Sequence, residues 1–528
     1  MRARTAVLLL FLFSVPGLAA EQRWYVFSIG KTPVGYLSEE SDGKRTRTIL
    51  FAKLVRLGSN VEMKFDTTVT ESAEGELLSL SHEALLSKQP SRLDVTVERD
   101  RIRVASPPNE RFVEKGSAPI LGPVAIVRRT VALQAIEDVL EYSMFSPEMQ
   151  RVVHVKRTVL ATEDATCNGA YATKIEERIE GLPMPRTLWV DANGITVADT
   201  MEGPFGAMST CRATREAALS ANGELPADLY ERTVAHANVR LADPSAVDRI
   251  VLRVTPRDPS QPLPAFVTHN QRMLDRNTVE IRRGGGSSES ASVTKELLTP
   301  NALIESANPE IIKTAAEITA EAEPFKVGSA LTKWVAQNMK MDAGIVMAPA
   351  SELIRDRKGT CVGFATLLAS LARARGIPAR IAMGYVYYGG IWGGHAWTEM
   401  LIDGRWLPFD AAVYAPGVAS ATRLAAGASS FADGGGDLNM SLALLFGRVE
   451  IDILEYEEAG RVTRVPRGQQ AWRVEGSRYI NPGLGLNVDA SGWTIERADS
   501  TWPSTLVVAF RRGNNTVEVH EKIADPDR

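Results

Sequence analysis

Three residues between positions 361 and 410 carry side chains that together suit nucleophilic acyl chemistry: the thiol of Cys361, the imidazole of His395 and the carboxylate of Asp410. A thiolate attacks carbonyl carbon, an imidazole takes and returns the proton, and a carboxylate orients the imidazole. Taken singly, each has a plainer reading. A free cysteine is commonly a small buried apolar residue, and a strand histidine a hydrogen-bonded one. The three together, each in a suitable local setting, outweigh those readings.

The elements that must position them can be read locally. Phe364, Leu367, Leu368 and Leu371 recur at i, i+3, i+4 and i+7, which predicts a helix over about 361–375. Thr360 is its N-cap; Arg373 and Arg375 fall in the last turn, with Gly376 and Pro378 beyond. Cys361 then sits in the first turn, where unpaired backbone N–H groups and the helix dipole favour the thiolate. Downstream, Asp403-Gly404 is a two-residue hairpin turn. If Ile402 faces Arg405, Trp397 faces Asp410, and His395 lies one diagonal step from Asp410 on the same face, with Glu399 also on it. Diagonal neighbours are within reach of longer side chains. Glu399 then orients the site or forms an ion pair. Nothing in this local spacing brings the helix against the hairpin.

That juxtaposition is implied by a resemblance. GTCVGFATLLASLARARGIPARIAMGYVY followed by GGHAWTEMLIDGRWLPFD resembles the core of the transglutaminase-like superfamily, over roughly residues 309–415. The resemblance implies a papain-like fold with Cys361 as nucleophile, His395 as general base and then acid, and Asp410 as its orienter. The backbone N–H of Cys361 is the expected oxyanion donor, with Trp334 a lesser candidate. Trp392, in the glycine-dense stretch Gly389–Gly394, and Trp397 are the expected substrate contacts.

The address is read from the start of the chain. Arg2 and Arg4, an apolar run from Ala6 to Pro16 and the small residues before Glu21 predict a cleavable secretory signal over 1–20. No later apolar stretch is long enough to span a bilayer. The protein is therefore expected to be periplasmic or secreted. With three cysteines, Cys167 and Cys211 form a disulfide or remain two buried thiols, and Cys361 is left over. A net charge of −4 and the absence of a basic block argue against a nucleic-acid partner. Six scattered histidines, with no Cys-x-x-Cys and no calcium-loop spacing, imply no metal or cofactor.

At 528 residues the chain exceeds one core. Residues 21–215 alternate in the manner of antiparallel β, with Asn193-Gly194 as a hairpin signal and one helix over about 123–142 bearing Val127, Val131, Ile136 and Val139. Residues 216–300 read as a β segment and linker, including Gly284 to Ser288. Residues 301–460 are the expected catalytic domain. Within it, helices start at Pro309 and near Phe325, a Gly/Ala/Ser-rich surface loop runs from 412 to 437, and an apolar helix lies near 438–446. A β-rich module occupies 461–528. The expectation is an α+β protein: a papain-like transglutaminase core flanked by an N-terminal antiparallel sheet domain and a small C-terminal β-rich module. It is expected to be an exported cysteine acyl-transfer enzyme that acts on protein or peptide amides. The alternative is a non-catalytic envelope protein that binds peptide or cell-wall polymer in the same groove.

Overall fold

The structure, a computed structural model, describes residues 21–520 apart from 57–58, 89, 108, 183, 204–205, 222, 224–232, 260–262, 286–293, 346, 433–437, 439–441, 443–444, 470–471, 482–485 and 498–505. The expected leader over 1–20, residues 286–288 of the glycine-serine stretch and most of the helix expected near 438–446 lie outside the described residues. Among the described residues strand dominates, at 51% against 15% helix.

Alternating apolar and polar residues between Glu21 and Ala213 build one sheet of fourteen antiparallel strands. Its central strand, Glu21–Ile29, pairs with Thr32–Ser41 on one side and Gly206–Ala213 on the other. The edges are Asn109–Glu114 and Val139–Ser146. Val69, Leu80, Val95 and Val104 from one half share a core with Ile120 and Phe145 from the other. The Arg111 guanidinium beside one edge donates to the Gln150 carbonyl beside the other at 2.7 Å, so the sheet curls until its edges approach.

The interrupting helix is shorter than its periodicity predicts. It runs Pro123–Thr130, with its Val124 and Ala125 N–H groups held by the buried Glu71 carboxylate at 2.9 and 3.0 Å. The Asp138 carboxylate then accepts from the Gln134 and Ala135 N–H groups, and Glu137 has φ +70°, so the chain turns instead of continuing helically. Val131, Ile136 and Val139, read as an apolar helix face, are exposed. Cys167 and Cys211 are joined by a disulfide, Cα to Cα 6.1 Å.

Val247–Pro256 and Thr278–Arg282 form strands, as expected, and pair with each other. Val247–Pro256 also pairs with Val449–Glu458, so this five-stranded sheet draws on segments before and after the helices. Two three-stranded sheets between Arg473 and His520 share a core of Tyr479, Val507, Val508 and Phe510.

The helices α1 (Pro309–Ile318), α2 (Pro324–Asn338), α3 (Ala350–Asp356) and α4 (Cys361–Ala374) are the framework of the candidate site. Asn308 caps α1 by accepting from the Glu310 N–H, and Glu323 caps α2 by accepting from Phe325 and Lys326. The stripe Phe364, Leu367, Leu368 and Leu371 is buried with Ile311, Leu331 and Leu353 of the other helices. Against them lies a sheet of β1 (Ala379–Tyr388), β2 (Ile391–Ile402), β3 (Arg405–Phe409) and β4 (Arg423–Ser429), which contributes Ile381, Met400 and Phe409 to the same core. β2 is flanked by β1 on one edge and by β3 and the short strand Ala235–His236 on the other; β4 pairs the far side of β1. The expected surface loop after Asp410 is therefore in part a buried strand. Gly and Ala permit close packing there, and without β-branched residues they gave no strand signal.

Candidate functional site

Cys361 is the first residue of α4, after Thr360 in extended backbone at φ −75°, ψ 178°. The approach to it is tightly packed. Arg357 adopts φ +54° at the end of α3, and Lys358–Gly359 runs parallel to Lys340–Met341. A side chain at Gly359 would meet Leu353 at 3.0 Å, so glycine lets the backbone pass close to α3. At the other end, the buried Arg373 is not solvated in the last turn. It donates to the carbonyls of Thr299, Ala379 and Ser430, tying the helix to three neighbouring segments.

The hairpin has the register expected from its turn. Asp403 and Gly404 take φ +50° and +72°, and Ile402 faces Arg405, Met400 faces Leu407 and Thr398 faces Phe409. β2 is tied to α4 by the Thr398 hydroxyl, which donates to the Ala365 carbonyl at 2.9 Å. β3 ends at Phe409, and Asp410 follows with its Oδ2 2.8 Å from His395 Nε2. The same imidazole is hydrogen-bonded to Cys361, and because Nε2 is engaged, Nδ1 is the nitrogen left for the sulfur. Cys361 is partly exposed, whereas His395 and Asp410 are buried.

A residue outside the sequence reading completes the arrangement. Arg423, the first residue of β4 and itself buried, donates to Asp410 Oδ2 from Nε at 2.8 Å and lies 2.7 Å from it through Nη2. Asp410 Oδ1 accepts from the Ala412 and Val413 N–H groups at 3.0 and 2.9 Å. Burial alone would raise the Asp410 carboxyl. The charges of His395 and Arg423 and these hydrogen bonds hold it instead well below the usual carboxylate range. Burial likewise works against a charged His395, but the Asp410 charge and hydrogen bond, with Cys361 adding to them, raise it to about 9. No local signal pointed to Arg423, because the strand that carries it was invisible in the sequence.

The two expected aromatic contacts are placed differently. Trp392 lies in β2, fully buried, with its ring edge-on to Tyr387 at 5.5 Å and among Val247, Leu252 and Ile451. The loop tip is only Gly389–Gly390, at φ +57° and +99°, so the strand resumes at Ile391 and draws Trp392 into the core. Trp397 is buried beside Ala382 and Ala425 and stacks near-parallel on His395, centroids 6.2 Å apart. It supports the imidazole and offers no open face to a substrate. The exposed residue beside His395 is Gly394, against which the Phe446 ring packs. Glu399 pairs with Arg380 at 2.7 Å and forms an ion pair there, apart from His395. Trp334 carries the Arg357 guanidinium 4.4 Å above its ring.

Chemically, the arrangement offers a thiol at a helix start, a base in hydrogen-bond contact with it, and an ionised acid behind the base. Comparison with curated proteins returns no match. Among solved structures, a β-barrel-like protein of a domain of unknown function from Brucella abortus is 14% identical over 37% of this chain and 97% of its own, with a TM-score of 0.30. A candidate cysteine protease from Cytophaga hutchinsonii is 18% identical over 42% of this chain and 86% of its own, TM-score 0.24. A candidate protease from Parabacteroides distasonis is 12% identical over 65% of each chain, TM-score 0.19. The family model of the Transglutaminase-like superfamily matches residues 312–411. That segment, with Cys361, His395 and Asp410 in it, is similar to the transglutaminase-like superfamily.

Proposed function

We propose that the protein is a cysteine acyl-transfer enzyme that cleaves peptide or side-chain amides through a thioester on Cys361. The observation that carries this reading is the hydrogen-bonded series Cys361–His395–Asp410 at the start of α4. The Cys361 sulfur, its proton passed to His395, attacks the carbonyl carbon, and the oxyanion takes a hydrogen bond from the Cys361 backbone N–H at the helix start. The C–N bond then breaks, and His395 gives its proton to the departing amine. Water attacks the thioester, His395 accepts its proton, and the C–S bond breaks to release the acid and restore the thiol.

A papain-like arrangement of this core, flanked by the N-terminal sheet over 21–215 and a C-terminal module over 461–528, is part of the proposal. So is export to the periplasm or beyond, which the Cys167–Cys211 disulfide supports, since such bonds persist in oxidising compartments. Among the described residues, no helix is long and apolar enough to cross a membrane.

Iodoacetamide labelling of Cys361 tests the pairing: the rate is expected to fall sharply in His395→Ala. Labelling indifferent to that change would favour the binding-protein reading. Exposure of envelope proteins to wild type and Cys361→Ala then identifies the acceptor. New chain termini indicate hydrolysis, and new isopeptide links would overturn water as the acceptor in favour of an amine.

A further inference from the structure

We propose that Arg423 is a positioning residue for the acyl-transfer reaction, holding the same carboxylate oxygen that orients His395 through an Nε hydrogen bond and an Nη2 ion-pair contact. The inference rests on the reading of Cys361 as the nucleophile.

Each nitrogen of this buried guanidinium group has a partner. Nε and Nη2 reach Asp410 Oδ2 at 2.8 and 2.7 Å, Nη2 also reaches the Val413 carbonyl at 3.0 Å, and Nη1 reaches the Ser420 hydroxyl at 3.1 Å. The Ala412 and Val413 N–H groups hold the other oxygen. Asp410 therefore cannot turn away from His395 without breaking contacts on both sides. A planar fork provides this geometry, and the single point charge of a lysine does not.

The placement has a second consequence. The charged and titratable groups facing one another here are Cys361 from α4, His395 from β2, Asp410 after β3 and Arg423 from β4. One carboxylate thus lies between two cations that draw on the same oxygen. The guanidinium carries a positive charge, so its field opposes a second positive charge on the imidazole. His395 must hold a proton while the sulfur attacks and then surrender it to the amine. Arg423 loosens the grip that Asp410 alone would exert on that proton while keeping the carboxylate in place. A residue that merely stapled the turn from Asp410 to Arg423 would move neither property.

The full chain is tested with the rate of Cys361 alkylation by iodoacetamide, followed from about pH 4 to about pH 10. Removing a fixed positive charge makes each deprotonation of the thiol–imidazole pair harder. In Arg423→Gln both steps of the profile are expected to move up by about half a unit or more. Arg423→Lys keeps the charge, so its steps stay within about 0.2 units of wild type, while its maximal rate falls severalfold because the fork is lost. Unmoved steps in a folded Arg423→Gln protein would overturn the proposal and reduce Arg423 to a staple. If Arg423→Gln does not fold, Arg423→Lys decides, and an unchanged maximal rate overturns the proposal. A wild-type profile showing only the single step of an ordinary thiol would overturn the acyl-transfer reading itself, and Arg423's role with it.

Discussion

Asp410 and His395 stabilise each other's charged forms, and this makes stability depend on pH in a definite direction. His395 is raised from its ordinary value of 6.5 to about 9, so its contribution is fully present below about 6.5 and is lost as pH rises through 9. Asp410 is depressed, so its contribution is present above the usual carboxylate range and is lost as pH falls through its folded value. The unfolding free energy of wild type minus that of His395→Gln is therefore expected to be largest in mildly acidic solution and to shrink by pH 9. Urea titrations at several pH values measure it, and a difference that grows toward pH 9 would contradict the ion pair. For activity, Asp410→Asn is expected to lower kcat by about 10²–10⁴-fold through loss of the oriented tautomer. Amide hydrolysis against a fluorogenic peptide measures that loss.

At the scale of elements, the site depends on how closely β1, β2 and β4 approach. Gly384 of β1 faces His395 of β2, and the pairing of β1 with β4 shifts register between Met383 and Gly384. A Cβ at Gly384 would lie 2.0 Å from the Leu424 carbonyl oxygen, which is backbone and cannot move aside alone. Gly384→Ala is thus expected to destabilise by about 1–3 kcal/mol or more by forcing β4 from β1. Because Arg423 opens β4, labelling of Cys361 should slow in the same variant. Thr398→Val removes the hydroxyl that joins β2 to the Ala365 carbonyl of α4, at an expected cost of about 1 kcal/mol in chemical unfolding.

Over the whole molecule, the N-terminal sheet grips the helix next to Cys361. The Ser87 hydroxyl and Lys88 N–H donate to the buried Glu352 carboxylate at 3.2 and 3.4 Å, and the Lys88 ammonium pairs with Asp356, both acids being on α3. Beside this contact lies a cavity of about 200 Å³ lined by Phe65, His82 and Leu93 of the sheet and Leu303, Met347 and Phe431 of the helical region. Packing there is incomplete, so the hydrogen bonds carry much of the registration. Glu352→Ala is expected to cost about 1–3 kcal/mol and to raise proteolysis of the turn after Leu85. Reducing the Cys167–Cys211 bond, whose cysteines are 44 residues apart, should lower stability by about 4 kcal/mol on the loop-entropy scale. It should leave the Cys361 labelling rate unchanged, since the disulfide lies in the N-terminal sheet.

Much of the site was legible because it is built from local rules. A 3.6-residue stripe placed Cys361 at a helix start, and an Asp-Gly turn set which residues of β2 and β3 oppose one another. Those patterns operate over a few residues, where backbone geometry leaves few choices. The misreadings came where distant segments decide. The stripe from Val127 to Val139 looked helical until the Asp138 carboxylate turned the chain. Trp392, in its glycine-dense stretch, looked like a substrate contact until a two-residue turn carried it into a core with Val247 and Ile451. β4 looked like a loop because Gly and Ala show their strand preference only when another strand lies close enough to need them. The sequence by itself determined the candidate thiol, imidazole and carboxylate and the two local frames that hold them. Tertiary structure alone decided that the frames meet, that Trp397 backs His395 and that Arg423 shares Asp410, because each depends on contacts between segments that no local pattern brings together.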